Sequence, residues 1–252
     1  MLYASLTLWL LVIMFSAWGV HRIWSAMVKP RVVNSVLLPG TLVAQLGHVL
    51  GLLVTGNPVQ NTVLMGDDDA GEPQSETPDR QRVPVVGPII IGLLPLVACT
   101  GCLYLAANLW GGSVLGRVAA DTGFALPREL PTTLAGFWAL LRTGVSVSEA
   151  MLNTIVSSDL TNWQTALFVY LAVCLTVRMA PFEGNRRGAI AAILLAGGVI
   201  AILASLIQGL QGFIVSSWPI LSFAVGMLLF LLLTSLCVSG LAGLIRILAR
   251  NE

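Results

Sequence analysis

Six stretches of this sequence stay apolar long enough to cross a bilayer as helices, whose hydrocarbon layer of about 30 Å takes about 20 residues. They run over 2–20, 36–55, 85–110, 163–179, 189–214 and 218–247. A run of that kind must satisfy every backbone group internally, so it folds as a helix or not at all in lipid. The expected fold is therefore an all-α polytopic membrane protein with about six transmembrane helices. Composition agrees: of 252 residues, 56% are apolar and only 10% are charged, against about 25% charged in an ordinary soluble domain. Mean hydropathy is +0.88. A soluble enzyme, a disordered hub and a secreted disulfide scaffold are excluded. Thirteen basic and twelve acidic residues leave a net charge of +1, which offers no electrostatic footprint for nucleic acid. The first run has no basic residues before it and no small-residue cleavage site, so it reads as a retained helix and not a signal peptide.

Two stretches between the runs differ. Residues 56–84 carry Asp67, Asp68, Asp69, Glu72, Glu76 and Asp79 beside Arg80 and Arg82, the content of a solvated loop. The three aspartates lack the alternating spacing of a calcium loop. Flanking β-formers at 59–65 and 82–86 predict a short β-hairpin after the second helix. Residues 111–162 mix charge with moderate hydrophobicity, and 134–155 has the makings of an amphipathic helix. Its Phe137-Trp138-Ala139-Leu140-Leu141 core suits a segment that spans, dips into or lies on the membrane, and the pattern does not choose. Six crossings put Arg22, Lys29, Arg31, Arg117, Arg128 and Arg142 on one side and Arg80, Arg82, Arg178, Arg186, Arg187, Arg246 and Arg250 on the other. Long loops count less, which favours both termini in the cytoplasm. Glu183, Arg186 and Arg187 sit at a membrane boundary, where pairing or snorkelling explains them. Small-residue pairs such as Gly47/Gly51 and Ser239/Gly243 suit close helix packing.

Only two histidines occur, His21 and His48. His48 falls mid-run, where an ionisable residue is costly and often functional; the bland reading is a neutral ring hydrogen-bonded to a neighbouring helix. Its context is Pro39-Gly40-Thr41-Leu42-Val43-Ala44-Gln45-Leu46-Gly47-His48. This pattern resembles the zinc-binding helix of site-2-protease-like membrane metalloproteases, where Pro-Gly precedes His-Glu-x-x-His. Two histidines four apart share a helix face to hold Zn²⁺ while the glutamate deprotonates the attacking water. A hairpin and a Gly/Pro-rich helix follow in that family, similar to 56–84 and then Gly87-Pro88 to Pro95 here. The family's third ligand is an aspartate in Met-x-Pro-Ser-x-x-Asp-x-x-Gly-Ala, which looks like Met179-Ala180-Pro181-Phe182-Glu183-Gly184-Asn185-Arg186-Arg187-Gly188-Ala189. The resemblance implies three parts: an N-terminal helix and basic loop (1–33), a site-2-protease-like core (34–190, with its acidic loop at 57–84 and the amphipathic or re-entrant segment at 111–162), and a C-terminal helical hairpin (191–252).

The departures fall on the chemistry. Ala44 stands for the first ligand, Gln45 for the base and Asn185 for the aspartate; His48 alone remains. A catalytic zinc needs about three protein ligands and an open position, and an amide cannot act as general base. No catalytic residue and no cofactor are therefore expected. The alternative metal set is His48 with Cys99 and Cys102, although a two-residue gap within a helix merely puts two thiols on one face. The expected function is a non-catalytic pseudoprotease in the lipid bilayer that binds a transmembrane client. The alternatives are a structural subunit of a larger membrane complex and an active intramembrane zinc protease with unconventional ligands. A transporter is disfavoured, since the runs hold few buried charges and no inverted repeat.

Overall fold

The computed structural model describes residues 2–59, 86–120, 126–131, 133–179 and 210–250, together with 193–194, 197–198 and 202. The described elements are helical: α1 (Leu2–Met27), α2 (Pro30–Val36), α3 (Leu38–Val54), α4 (Val86–Trp110), α5 (Gly112–Ala120), α6 (Leu134–Ser157), α7 (Trp163–Val177) and α8 (Leu210–Arg250). Three of them, α1, α4 over Ile89–Trp110 and α8 over Ile214–Leu244, are long and apolar enough to cross a bilayer. The protein is a membrane protein. The run at 36–55 becomes α3, which is bent by 76° from α2 just before it. Pro39 in the first turn of α3 explains the break, because proline has no N–H to give the carbonyl four residues back, at Ser35, and its ring would crowd that carbonyl in a continuous helix. The run at 163–179 is the 15-residue helix α7, shorter than a full crossing.

Some boundaries differ from those expected. Helix α1 continues past Val20 through His21 and Arg22, whose guanidinium lies 5.3 Å from the Trp18 ring centroid. Helix α8 runs unbroken from Leu210 and passes Pro219, so 214 and 218 share one helix instead of flanking a turn. Helix α4 likewise continues through Pro95. The predicted hairpin lies outside the described residues except at its edges, where Val86 opens α4. The segment expected at 134–155 is α6, capped by Thr133, whose hydroxyl accepts from the Gly136 N–H at 3.1 Å.

Helices α1 and α6 flank α8, while α7 packs against α1, α3, α4 and α8 and so sits at the centre. The core cluster joins Trp9, Ala44, Cys99, Phe168, Phe223 and Leu228 among others, with the Phe168 and Phe223 ring centroids 5.5 Å apart. Indole N–H groups in lipid need partners, and they find them across the bundle. Trp9 Nε1 and Ser5 Oγ both donate to the Pro127 carbonyl, at 3.1 and 2.8 Å, and Trp218 Nε1 donates to the Leu126 carbonyl at 3.1 Å. The non-helical 126–131 stretch is thereby stitched to the starts of α1 and α8. Further along, Trp24 Nε1 donates to Ser235 Oγ at 2.7 Å, which makes α1 and α8 parallel neighbours.

Candidate functional site

Helix α3 presents Leu42, Leu46, Leu50 and Leu53 outward and buries Gly40, Thr41, Ala44, Gln45, Gly47, His48, Gly51 and Leu52. The 3.6-residue period puts positions four apart on one face, so Ala44 and His48 share the inward side with Gln45. Ala44 is fully buried, and Gln45 and His48 are 3% and 4% exposed. On that inward side the Ala44 methyl offers no donor atom, Gln45 offers a neutral carboxamide and His48 an imidazole.

Two neighbours face this side. Helix α4 runs antiparallel: a Cβ added at Gly47 would meet Leu94 O and Pro95 Cα, and one at Gly51 would meet Ile91 Cα. Helix α7 closes on the start of α3, where a Cβ at Gly40 would collide with the Cys174 carbonyl. Tyr170 and Cys174 of α7 both donate to the Val36 carbonyl, at 2.8 and 3.4 Å, using an acceptor left over where the helix breaks at Leu37. The far end of α3 closes in a Schellman turn: Gly56 takes φ 70°, Gly56 N–H donates to Leu53 O at 3.0 Å and Asn57 N–H to Leu52 O at 2.8 Å. Glycine is suited to that left-handed position.

The sequence-derived site residues thus separate into two groups. Ala44, Gln45 and His48 lie together on the α3 seam. Asn185 lies outside the described residues, as does the whole third-ligand stretch after Met179. Cys99 is fully buried in the same core cluster as Ala44, while Cys102 is only partly buried. All four cysteines are free thiols. Among the described residues, no three His, Cys, Asp or Glu side chains converge as a metal set. An alanine methyl and a carboxamide do not fit a catalytic zinc.

Sequence reasoning missed a polar knot one helix turn away. Arg178 caps the C-terminus of α7 and is 7% exposed. Its Nη2 donates to Asn34 Oδ1 at 2.7 Å, and its Nη1 lies 3.4 Å from His21 Nε2. His21 Nε2 is in turn 3.3 Å from Asn34 Oδ1. One proton decides between these contacts: with it, Nε2 donates to Asn34, and without it Nε2 accepts from Arg178. The knot ties α1, α2 and α7 at the bend that launches α3. The guanidinium also sits at the negative end of α7. The available signal was an arginine inside the apolar run 163–179, costly unless paired within the bundle. Against known proteins, the chain matches no family model, no curated protein and no solved structure.

Proposed function

We propose that this chain is a non-catalytic membrane protein of site-2-protease-like ancestry, which acts by binding a transmembrane partner and not by cleaving it. One observation carries the reading: Ala44, Gln45 and His48 hold the spacing and the inward orientation of a zinc-binding helix, yet two of the three side chains cannot perform its chemistry. The motif order around them, from Pro39-Gly40 to Gly188-Ala189, supports the same ancestry. The glycines beside the site support a packing role, because Gly40, Gly47 and Gly51 admit the backbones of α7 and α4 against this face of α3. Loss of a positioned base removes about 10² to 10⁴ in rate, and loss of the metal removes the nucleophile itself.

The test is metal and cleavage analysis of the full chain purified in mild detergent. The expected result is no stoichiometric zinc, and no cleavage of a single-span reporter that depends on His48 or responds to chelator. Stoichiometric zinc lost in His48→Ala, or chelator-sensitive cleavage, would overturn the reading.

A further inference from the structure

The corner between α1 and α3 turns its cations outward. Helix α1 has 26 residues, about 39 Å at 1.5 Å per residue, against a hydrocarbon layer of about 30 Å. A crossing by α1 therefore brings its Met27 end out to the headgroups, and Val28, Lys29 and α2 follow at once. No Asp or Glu precedes Asp67 in the sequence, so the corner has no acid of its own.

Contacts with α1 and α7 fix which side of α2 faces out. Val33, Asn34 and Leu37 are buried. Asn34 Oδ1 accepts from the Arg178 guanidinium at 2.7 Å, and the Val36 carbonyl accepts from Tyr170 and Cys174. Lys29, Arg31, Val32, Ser35 and Val36 are left exposed. Val28, Val32 and Val36 are 49%, 50% and 51% exposed, and the last two, four apart, share one face of α2. Arg22, five residues before the end of α1, is a third exposed cation, placed over Trp18. Neither Lys29 nor Arg31 meets a carboxylate among the described residues. The charged side chain that α7 brings to α2 is a further cation, Arg178.

Half-exposed valines beside basic side chains, at the end of a span, suit a phospholipid boundary. The valines meet the upper acyl chains, and the long Lys and Arg stems carry charge up to phosphate. A zwitterionic headgroup offsets its phosphate with its own amine, whereas an anionic one leaves net charge, worth about fivefold in binding for each basic residue near it. We propose that the α2 corner, built from Lys29, Arg31, Val32 and Val36, is a binding surface for anionic phospholipid. The proposal needs only α1 as a span and stands apart from the ancestry of α3.

The experiment uses the full chain with Ser35→Cys in a C237S background, labelled with bimane and reconstituted in phosphatidylcholine vesicles. Each preparation contains the same fraction of a nitroxide-bearing lipid, either phosphatidylglycerol or phosphatidylcholine, with the nitroxide high on the acyl chain. The C237S chain that keeps Ser35 corrects for label on other thiols. Quenching should report an association at least about fivefold stronger for phosphatidylglycerol, and 1 M potassium chloride should flatten the difference. K29Q/R31Q should flatten it as well, while K29R/R31K should keep it. Lys29 and Arg31 are both exposed, so the glutamine variant should melt as its parent does, and the salt arm needs no substitution at either residue. Equal quenching by the two lipids, a preference that survives K29Q/R31Q or salt, or its loss in K29R/R31K, overturns the proposal. Absence of quenching by either lipid overturns it too, since α2 would then not meet the bilayer. The acidic stretch 67–79 is the rival occupant. A preference that appears only once its Asp and Glu residues are changed to Asn and Gln would assign the surface to that stretch and reject the lipid.

Discussion

Gly47→Ala tests whether the α3–α4 seam is as tight as its geometry implies. The new methyl carbon would lie 2.7 Å from Pro95 Cα, 2.8 Å from Leu94 O and 2.9 Å from Ala98 Cβ. Carbon atoms in contact normally sit about 3.5–4.0 Å apart, so α3 must retreat from α4 by about 0.8 Å. Two of the three obstructing atoms are backbone, which cannot rotate aside. Overpacking of this kind costs about 1–3 kcal/mol. Replacing helical glycine with alanine returns roughly 1 kcal/mol through backbone entropy, which muddies a single measurement. Gly101→Ala in α4 removes that ambiguity, because a Cβ there has nothing within 4 Å and gains the same entropy without a clash. The difference between the two variants therefore isolates the steric part, about 1–3 kcal/mol, or about 2–12 °C in apparent Tm at about 2–4 °C per kcal/mol for a chain of this size. Both melts are read in the same mild detergent. If Gly47→Ala melts at or above Gly101→Ala, the seam is looser than drawn, and the claim that α4 packs tightly on the candidate site loses its support.

Two further outcomes are expected. Asn34→Ala removes the acceptor of the 2.7 Å bond from Arg178 and should destabilise by about 1.5–3 kcal/mol, the range for hydrogen bonds to charged groups. Asn34→Asp keeps an acceptor and should lose less, and a melt of Asn34→Ala equal to wild type would remove the knot from the account of stability. In the turn between α6 and α7, the Thr161 hydroxyl and then its backbone N–H hold the exposed Asp159 carboxyl below the usual carboxylate range. Because the folded value is depressed, the stabilisation is complete above the unfolded carboxylate pKa and is lost as pH falls through the lower folded value. A carboxyl NMR titration should place the Asp159 midpoint below that of a free aspartate, and Thr161→Ala should bring it upward.

How far the sequence could be read depends on the range of the interaction. Periodicity is local, so the inward face of α3 was legible: the spacing of Ala44 and His48 requires a shared side, and both are buried. The pair Gly47/Gly51 was also legible as a contact surface, and both residues meet the α4 backbone. The pair Ser239/Gly243 has the same spacing, yet a Cβ at Gly243 meets nothing within 4 Å. Small-xxx-small says that a close approach is allowed, and the neighbour decides whether it happens. The His21–Asn34–Arg178 knot was illegible for a different reason. Its members are 13 and 144 residues apart in sequence, and no spacing rule links residues from three helices. The helix boundaries failed where helix continued beyond apolarity. His21 and Arg22 looked like the end of a span, but in α1 they are simply the next turn, with Arg22 placed over Trp18.

On the proposed reading, packing weighs against a zinc centre on α3 as much as the three changed letters do. Under the proposed ancestry, restoring the first ligand means placing histidine at 44. That position is fully buried in the core cluster that includes Cys99 and Cys174, one turn from Gly40 and one from Gly47. An imidazole adds five heavy atoms where interiors tolerate hardly a methylene. The neighbouring glycines let two helices approach α3, and that approach removes the room a ligand and its water would require. Restoring Gln45 to glutamate would bury a carboxylate without a metal to neutralise it, a costly state unless the group stays protonated.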